Sequence, residues 1–245
     1  MEVHAHSHSP RKKWTHFVWE FIMLFLAVFC GYLAEYQLEK NIEKHREKEF
    51  ILSMIEDAEN DTAAIHQVIM QNSVRMIQAD SLARVSANYK GSQGETSRIY
   101  LFARRTVYYP ELFYPTDRTL FQLKNAGGMR LIRSKRSSEV IIAYDNSGKN
   151  VVNQQAYYEH YLTALTEASN HLMSFASLLN YNEPGSASLY NNAKLLNPTP
   201  EKLQELSNMA VMFEGVMMQY VIRLKEMEKQ ALELINTLKE EYHLK

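Results

Sequence analysis

The chain opens with an uninterrupted apolar run, continues with a densely charged segment, and then shows long stretches where apolar residues recur every three or four positions. The uninterrupted run is FVWEFIMLFLAVFCGYLA, residues 17–34, and Glu20 is its only charged residue. At about 1.5 Å per residue a helix of this run would cover about 27 Å, close to the hydrocarbon thickness of a bilayer. With its flanking aromatic residues, the run predicts one transmembrane helix over residues 14–35.

Basic residues flank the apolar run on its N-terminal side. Arg11, Lys12 and Lys13 immediately precede it, and such residues favour the cytoplasmic side of a membrane. Further basic residues follow the span but are interleaved with acids. The sequence therefore predicts a cytoplasmic tail over residues 1–13, with the bulk of the chain on the other side of the membrane.

A cleaved secretory signal also begins with basic residues followed by an apolar stretch. A signal-peptidase site ending at Ala34 would place the bulky Tyr32 where a small residue is preferred. A lipoprotein-type site at Cys30 would have Phe29 in front of it. Neither site is good, so the sequence favours a retained membrane anchor.

One face of the predicted span differs from the rest of the helix. His16, Glu20, Ala27 and Gly31 follow steps of four, seven and four, which places them in one stripe. Small residues let another helix approach closely, and a carboxylate in hydrocarbon is costly unless it faces protein or water. This stripe predicts a face for self-association. The alternatives are that Glu20 reaches the headgroups without a further role, or that it carries protons.

Residues 36–50, here called the stalk, are mostly charged and contain no helix breaker, so the membrane helix is expected to continue through them. Acidic and basic residues each repeat every four positions and form two stripes. In a symmetric assembly the acidic stripe of one copy could face the basic stripe of the next, as flanking charges do in coiled coils. The alternative is pairing within one helix. The two stripes comprise Glu35, Glu39, Glu43 and Glu47, and Lys40, Lys44 and Lys48.

Three long stretches after the stalk, 51–76, 138–181 and 203–238, have apolar residues at helical spacing. The third opens with Thr199 as a predicted N-cap and Pro200 at the first helical position. Gly148 is expected to bend or break the second. Each apolar stripe needs another helix to cover it, so the sequence predicts an all-α fold, with an antiparallel helical bundle over residues 51–245.

Shorter elements connect these long helices. The sequence KGSQGETS, residues 90–97, predicts a turn because glycine and small polar residues favour loops. Short helices are predicted over 100–109 and 117–126, with the extended loop YPELFYPT between them. Gly127 and Gly128 are expected to end the second short helix.

Two groups of side chains are candidate binding sites. His4, His6 and His8 alternate in the tail and are a weak metal-binding pattern, without an evident fourth ligand. Residues 98–136 are strongly basic and predict an anion-binding patch, unless they pack beside the acidic residues of 35–61. The candidate patch residues are Arg104, Arg105, Arg118, Arg130, Arg133 and Arg136.

Net charge, the cysteine count and the absence of known catalytic motifs narrow the range of possible functions. The formal net charge of -1 gives no reason to expect a nucleic-acid partner. The single cysteine, Cys30, excludes an intrachain disulfide. The sequence has no phosphate-binding loop, no G-x-S-x-G and no H-E-x-x-H. We therefore expect a protein that is not an enzyme and needs no cofactor.

The segment HSHSPRKKWTHFVWEFIMLFLAVFCGYLAE, together with TDRTLFQLKNAGGMRLI, resembles a family of single-span bacterial inner-membrane proteins without an assigned function. The resemblance implies the inner membrane and a periplasmic domain, but no activity. The leading hypothesis is a self-associating scaffold or accessory subunit of an envelope complex, in contact with lipid, further copies and other envelope proteins. Alternatives are a ligand-sensing helical domain and a proton-coupled channel or motor component.

Overall fold

Five α-helices form nearly all of the part of the chain that the structure describes. The computed structural model describes residues 14–108, 110–125, 127–174, 190 and 193–244. Within them no strand is formed, and a single bridge joins Met173 to Leu195. The predicted all-α fold is confirmed. The helices are α1 (Trp14–Ala87), α2 (Gln93–Val107), α3 (Arg118–Asn125), α4 (Lys135–Leu172) and α5 (Pro200–Glu241), with a 3₁₀ turn at Gly128–Arg130.

Helix α1 is 74 residues long and contains the predicted span, the stalk and the first periodic helix. The chain divides into two compact units between Glu49 and Phe50, and α1 contributes to both. The N-terminal unit is helical throughout residues 14–49. The apolar stretch continues into a helical stalk, as expected from the lack of a helix breaker there.

Every residue from Trp14 to Glu39 is exposed, including Phe21, Leu24 and Val28. Among the described residues this is the one helix with a stretch long and apolar enough to cross a membrane. None of that stretch is buried against the rest of the protein. Because large apolar surfaces are rarely left in water, this stretch has the properties of a segment that lies in lipid or against other protein.

In the C-terminal unit three long helices share a core. Tyr144 of α4 bonds to Asp61 of α1 and Tyr158 bonds to Asn72, so α4 runs parallel to α1. Helix α5 runs the other way: its Ser207 hydroxyl donates to the Ala83 carbonyl, and Lys239 lies 2.8 Å from Glu59. The parallel pair of helices requires a long connection, which is formed by α2, the extended loop 110–117 and α3.

Of the long helices, α5 matches the prediction from its sequence most closely. Thr199 is its N-cap, with a side chain that accepts from the Lys202 N–H, and Pro200 is its first residue. The apolar stripe predicted for this helix is buried, from Leu203 and Phe213 to Leu238. The equivalent stripe of α1, from Ile51 to Ile65, also lies in the core. The short helix predicted at 117–126 is α3, and Gly127 follows it with a left-handed φ of 68°.

Two sequence-based boundaries were wrong. The turn predicted over 90–97 is shorter, because Ser92 and Glu95 form a capping box and α2 already begins at Gln93. Helix α4 is continuous through Gly148 and ends at Leu172 instead of near 181. A Cβ at position 148 would lie 3.3 Å from Pro115 Cγ and 3.5 Å from Met227 Cε. Gly148 therefore lets the extended loop and α5 approach α4 closely and does not interrupt the helix.

Replacing Gly148 with leucine should destabilise the protein by about 1–3 kcal/mol, since the Cβ atom would already lie 3.3 Å from Pro115 Cγ and would force the loop or the helix to shift. Gly215→Leu is the matched control, because Gly215 is also within a helix but nothing lies within 4 Å of its Cβ position. That variant should gain about 0.5–1 kcal/mol from helix propensity. Urea unfolding of the full chain in detergent measures both; equal effects at the two positions would contradict this account of Gly148.

Candidate functional site

The candidate association face lies in the exposed apolar part of α1. The Nδ1 atom of His16 lies 3.2 Å from an Oε1 of Glu20, and both side chains are about half exposed. Ala27 borders the same shallow groove as this pair, and no heavy atom lies within 4 Å of a Cβ built at Gly31. At 3.6 residues per turn the four residues fall within an arc of about 60°. The face thus combines an acid with an imidazole partner and an open surface of small residues.

The stalk carries its charges on a regular helix. The ammonium of Lys40 lies 5.5 Å from the ring centre of Tyr36, and His45 lies 3.4 Å from Glu49. Glu35, Glu39, Lys44 and Lys48 are exposed, whereas Glu47 is buried. The charged residues of the stalk are therefore not all exposed to solvent. Glu47 of the acidic stripe is buried, whereas Lys44 and Lys48 of the basic stripe are exposed.

The six arginines of the candidate anion patch are distributed over several segments: α2, the start of α3, the 3₁₀ turn, the short connection after it and the start of α4. Arg118 is paired with Glu56 and Asp57 of α1. Arg136 is paired with Glu240 and Glu241. Arg104 lies over the ring of Tyr108, 5.3 Å from its centre. At Arg118 the basic region does pack beside acids of the 35–61 segment, which was the alternative to an anion site.

Two buried aspartates on α1 form a site that the sequence did not single out. Asp57 and Asp61 are only 1% and 2% exposed. Asp57 accepts hydrogen bonds from Arg118 Nε at 2.6 Å and from the Thr119 hydroxyl. Asp61 accepts from the Thr116 N–H at 3.1 Å, from the Thr116 hydroxyl at 2.6 Å and from the Tyr144 hydroxyl. The donors come from the end of the loop 110–117, from the start of α3 and from α4.

These side chains lie near the start of α3, where hydrogen-bond acceptors are favoured. The N-terminus of a helix carries partial positive charge and unpaired N–H groups, and α3 begins at Arg118, beside both aspartates. Burial raises the pKa of Tyr144 well above its usual range, and its hydrogen bond to Asp61 adds to the increase. Tyr144 therefore stays protonated and remains a donor. The two aspartates hold the start of α3 against α1 and α4.

A second buried group of polar side chains holds the extended loop by its backbone. The Asn72 amide donates to the Glu111 carbonyl at 3.0 Å and accepts from the Tyr158 hydroxyl. Phe113 donates its N–H to the Tyr220 hydroxyl at 2.7 Å, and its carbonyl accepts from Gln155. Burial raises the pKa of Tyr158 to about 12. Because buried backbone groups need partners, this group allows the loop to bury Phe113 against α4 and α5.

The loop and α3, held in this way, enclose one side of a cavity of about 340 Å³ against α4. Asp145 lies at its edge and is bonded to two lysines: Lys124 of α3 and Lys149, the latter at 2.7 Å. Burial acts to raise the pKa of Asp145, but the hydrogen bonds from both lysines outweigh it and leave that pKa below its usual value. Asp145 is therefore ionised at neutral pH.

The sequence contained a signal for the buried aspartates. Asp57 and Asp61 lie one helical turn apart, on the face that also carries Met54, Ala58 and Ile65. Their position in that stripe predicts burial, whereas by composition alone they belong to the acidic residues of 35–61. In contrast, Lys124 and Asp145 are 21 positions apart, and no pattern along the chain connects them.

Among the described residues no group of three histidine, cysteine or acidic side chains is arranged to hold a metal ion. His4, His6 and His8 lie outside the described residues. No protein-family model, no curated protein and no solved structure matches the chain. Evidence on function therefore comes from the geometry of the described residues.

Replacing Tyr144 with phenylalanine should cost about 1–3 kcal/mol of stability, because the buried Asp61 side chain loses one of its hydrogen-bond donors. Tyr157→Phe on the same helix is the control, since Tyr157 is 61% exposed and should change stability by less than about 0.5 kcal/mol. Urea unfolding monitored by circular dichroism measures both. Equal stability of the two variants would show that the bond from Tyr144 to Asp61, which joins α4 to α1, contributes nothing to stability.

Proposed function

We propose that the protein is a membrane-anchored scaffold or accessory subunit of a bacterial cell-envelope complex, which self-associates through the apolar part of α1 and places the C-terminal unit in the periplasm. The observation that carries this proposal is the apolar stretch of α1, exposed over its whole length, with His16, Glu20, Ala27 and Gly31 on one face. The protein acts by holding partners at the membrane and not by catalysis.

The cost of placing Glu20 near lipid supports self-association. A carboxylate in hydrocarbon is destabilised by a few kcal/mol unless it meets protein or water. His16 supplies one partner on the same helix, 3.2 Å away. Both side chains remain about half exposed, so a second helix packed on this face would remove further polar surface from lipid. Ala27 and Gly31 leave the space that such a helix needs.

The C-terminal unit supports a role as a rigid binding partner. Its loop 110–117 and α3 are held by buried hydrogen bonds to α1, α4 and α5. Elements with many buried hydrogen bonds seldom open locally. A unit with this construction presents a constant surface to other proteins of the envelope.

Two other functions each have one supporting observation. The cavity between α3 and α4 favours a ligand-sensing domain. The pair of His16 and Glu20 favours a proton-coupled component, because both groups exchange protons. Self-association is preferred because it accounts for the small residues as well as the acid on the same face.

Oxidative crosslinking in native membranes tests the association face. Cys30 adjoins Gly31 and is the only cysteine of the chain, so a disulfide-linked dimer reports on close approach of two α1 helices. We expect a dimer for the natural sequence and a severalfold lower yield for Gly31→Leu. Val18→Phe adds similar bulk on the opposite side of the helix and should leave the yield unchanged.

Glu20→Gln separates the proposed function from its alternatives in the same assay. A lower dimer yield supports association through this face. An unchanged yield together with lost proton flux in reconstituted vesicles would favour the proton-coupled component. A natural protein that gives no crosslink and has the mass of a monomer after extraction would overturn self-association.

Cysteine labelling tests the topology. In a Cys30→Ala background, Ser73→Cys places a thiol at an exposed position of the C-terminal unit. A maleimide that cannot cross the inner membrane should label it in cells whose outer membrane alone has been permeabilised. Labelling that requires lysis of the inner membrane would place the C-terminal unit in the cytoplasm and contradict the proposed orientation.

A further inference from the structure

The cavity between α3 and α4 has a charged edge and an apolar wall. Its volume of about 340 Å³ falls at the small end of the range of about 300–1,000 Å³ that is usual for small-molecule sites. Pro115 and Met227 lie against Gly148 at its base. Because the loop and α3 are held by buried hydrogen bonds, the cavity is a fixed feature of the C-terminal unit.

Lysines exceed acids at the charged edge. Lys124 and Lys149 share one carboxylate, that of Asp145, which is ionised and 13% exposed. The three groups together therefore carry one net positive charge. The side chains of the two lysines are 42% and 60% exposed, and each ammonium has three donors of which Asp145 takes one. A further anion could thus bridge both ammoniums without displacing Asp145.

Beside the lysines, one helical turn away along α3 and α4, the lining of the cavity is apolar. Leu120 is buried, whereas Phe121 and Val152 are 63% and 46% exposed although they line the same cavity. A large aromatic side chain left open to solvent beside a cavity offers a surface on which an apolar group can stack. An occupant that covered Phe121 and Val152 would remove this surface from water.

We propose that this cavity binds small amphipathic carboxylates, with the carboxylate on Lys124 and Lys149 and the apolar body against Phe121 and Val152. The orientation follows from the charges along α3. Asp117 also lines the cavity, seven positions before Lys124, or about 10 Å along the chain at helical rise. It repels an anion from that end, so the carboxylate binds at the lysine end.

Ligand binding to the full chain in lipid nanodiscs tests the proposal, with 3-phenylpropionate as the probe and empty nanodiscs as the blank. Saturation-transfer NMR gives the Kd. We expect 3-phenylpropionate to bind about tenfold more tightly than the uncharged 3-phenylpropionamide, because charge-assisted hydrogen bonds contribute to the carboxylate alone. Acetate, which has no apolar body, should bind more weakly than 3-phenylpropionate.

Lys149→Gln should raise the Kd of 3-phenylpropionate about tenfold, whereas Lys149→Arg, which keeps the charge, should restore most of the affinity. Lys135→Gln is the matched control: Lys135 also lies on α4 and faces a carboxylate four residues away, but it is 92% exposed and outside the cavity. The proposal is overturned if 3-phenylpropionate and its amide bind equally, if acetate binds as tightly as 3-phenylpropionate, or if the two Lys→Gln variants have the same Kd.

Discussion

Two buried aspartates, Asp57 and Asp61, need hydrogen-bond donors from the elements that surround them in the C-terminal unit. A buried carboxylate is costly unless donors surround it, and removing one donor leaves the charge uncompensated. Here the donors are Thr116 of the loop 110–117, Arg118 and Thr119 of α3, and Tyr144 of α4. The position of α3 against α1 therefore depends on these hydrogen bonds as well as on apolar contact.

The hydrogen bonds to these two aspartates also bear on the connection between the parallel helices α1 and α4. A chain that leaves α1 and returns along α4 in the same direction must cross the length of the bundle, and it does so through α2, the loop 110–117 and α3. Phe113 of this loop is buried, and Asn72, Gln155 and Tyr220 bond to the loop's backbone at Glu111 and Phe113. Since α3 is held away from full contact with α4, a cavity with Lys124, Asp145 and Lys149 at its edge remains between them.

The N-terminal unit differs from the C-terminal unit in the exposure of its apolar side chains. Its apolar side chains are exposed from Trp14 onwards, whereas the apolar side chains of α5, such as Phe213 and Leu224, are buried. In water the first arrangement is unfavourable, and in lipid it is the stable one, because a bilayer solvates apolar side chains while helical hydrogen bonds satisfy the backbone. The proposed function uses both units: one anchors and associates, and the other presents a constant surface.

The spacing of apolar residues and the capping residues near each helix end were sufficient to predict much of the fold. The extent of the apolar run, the cap of α5 at Thr199 and Pro200, and the buried stripes of α1, α4 and α5 depend on residues close together in the sequence, so the sequence alone determined them. Only the tertiary structure decided which charged residues are buried, that α4 passes through Gly148 unbroken, and that Lys124 and Lys149 meet at Asp145. The physical reason is that burial of a charge and formation of a cavity depend on which distant segments face one another, and helical spacing along one segment carries no information about its partner.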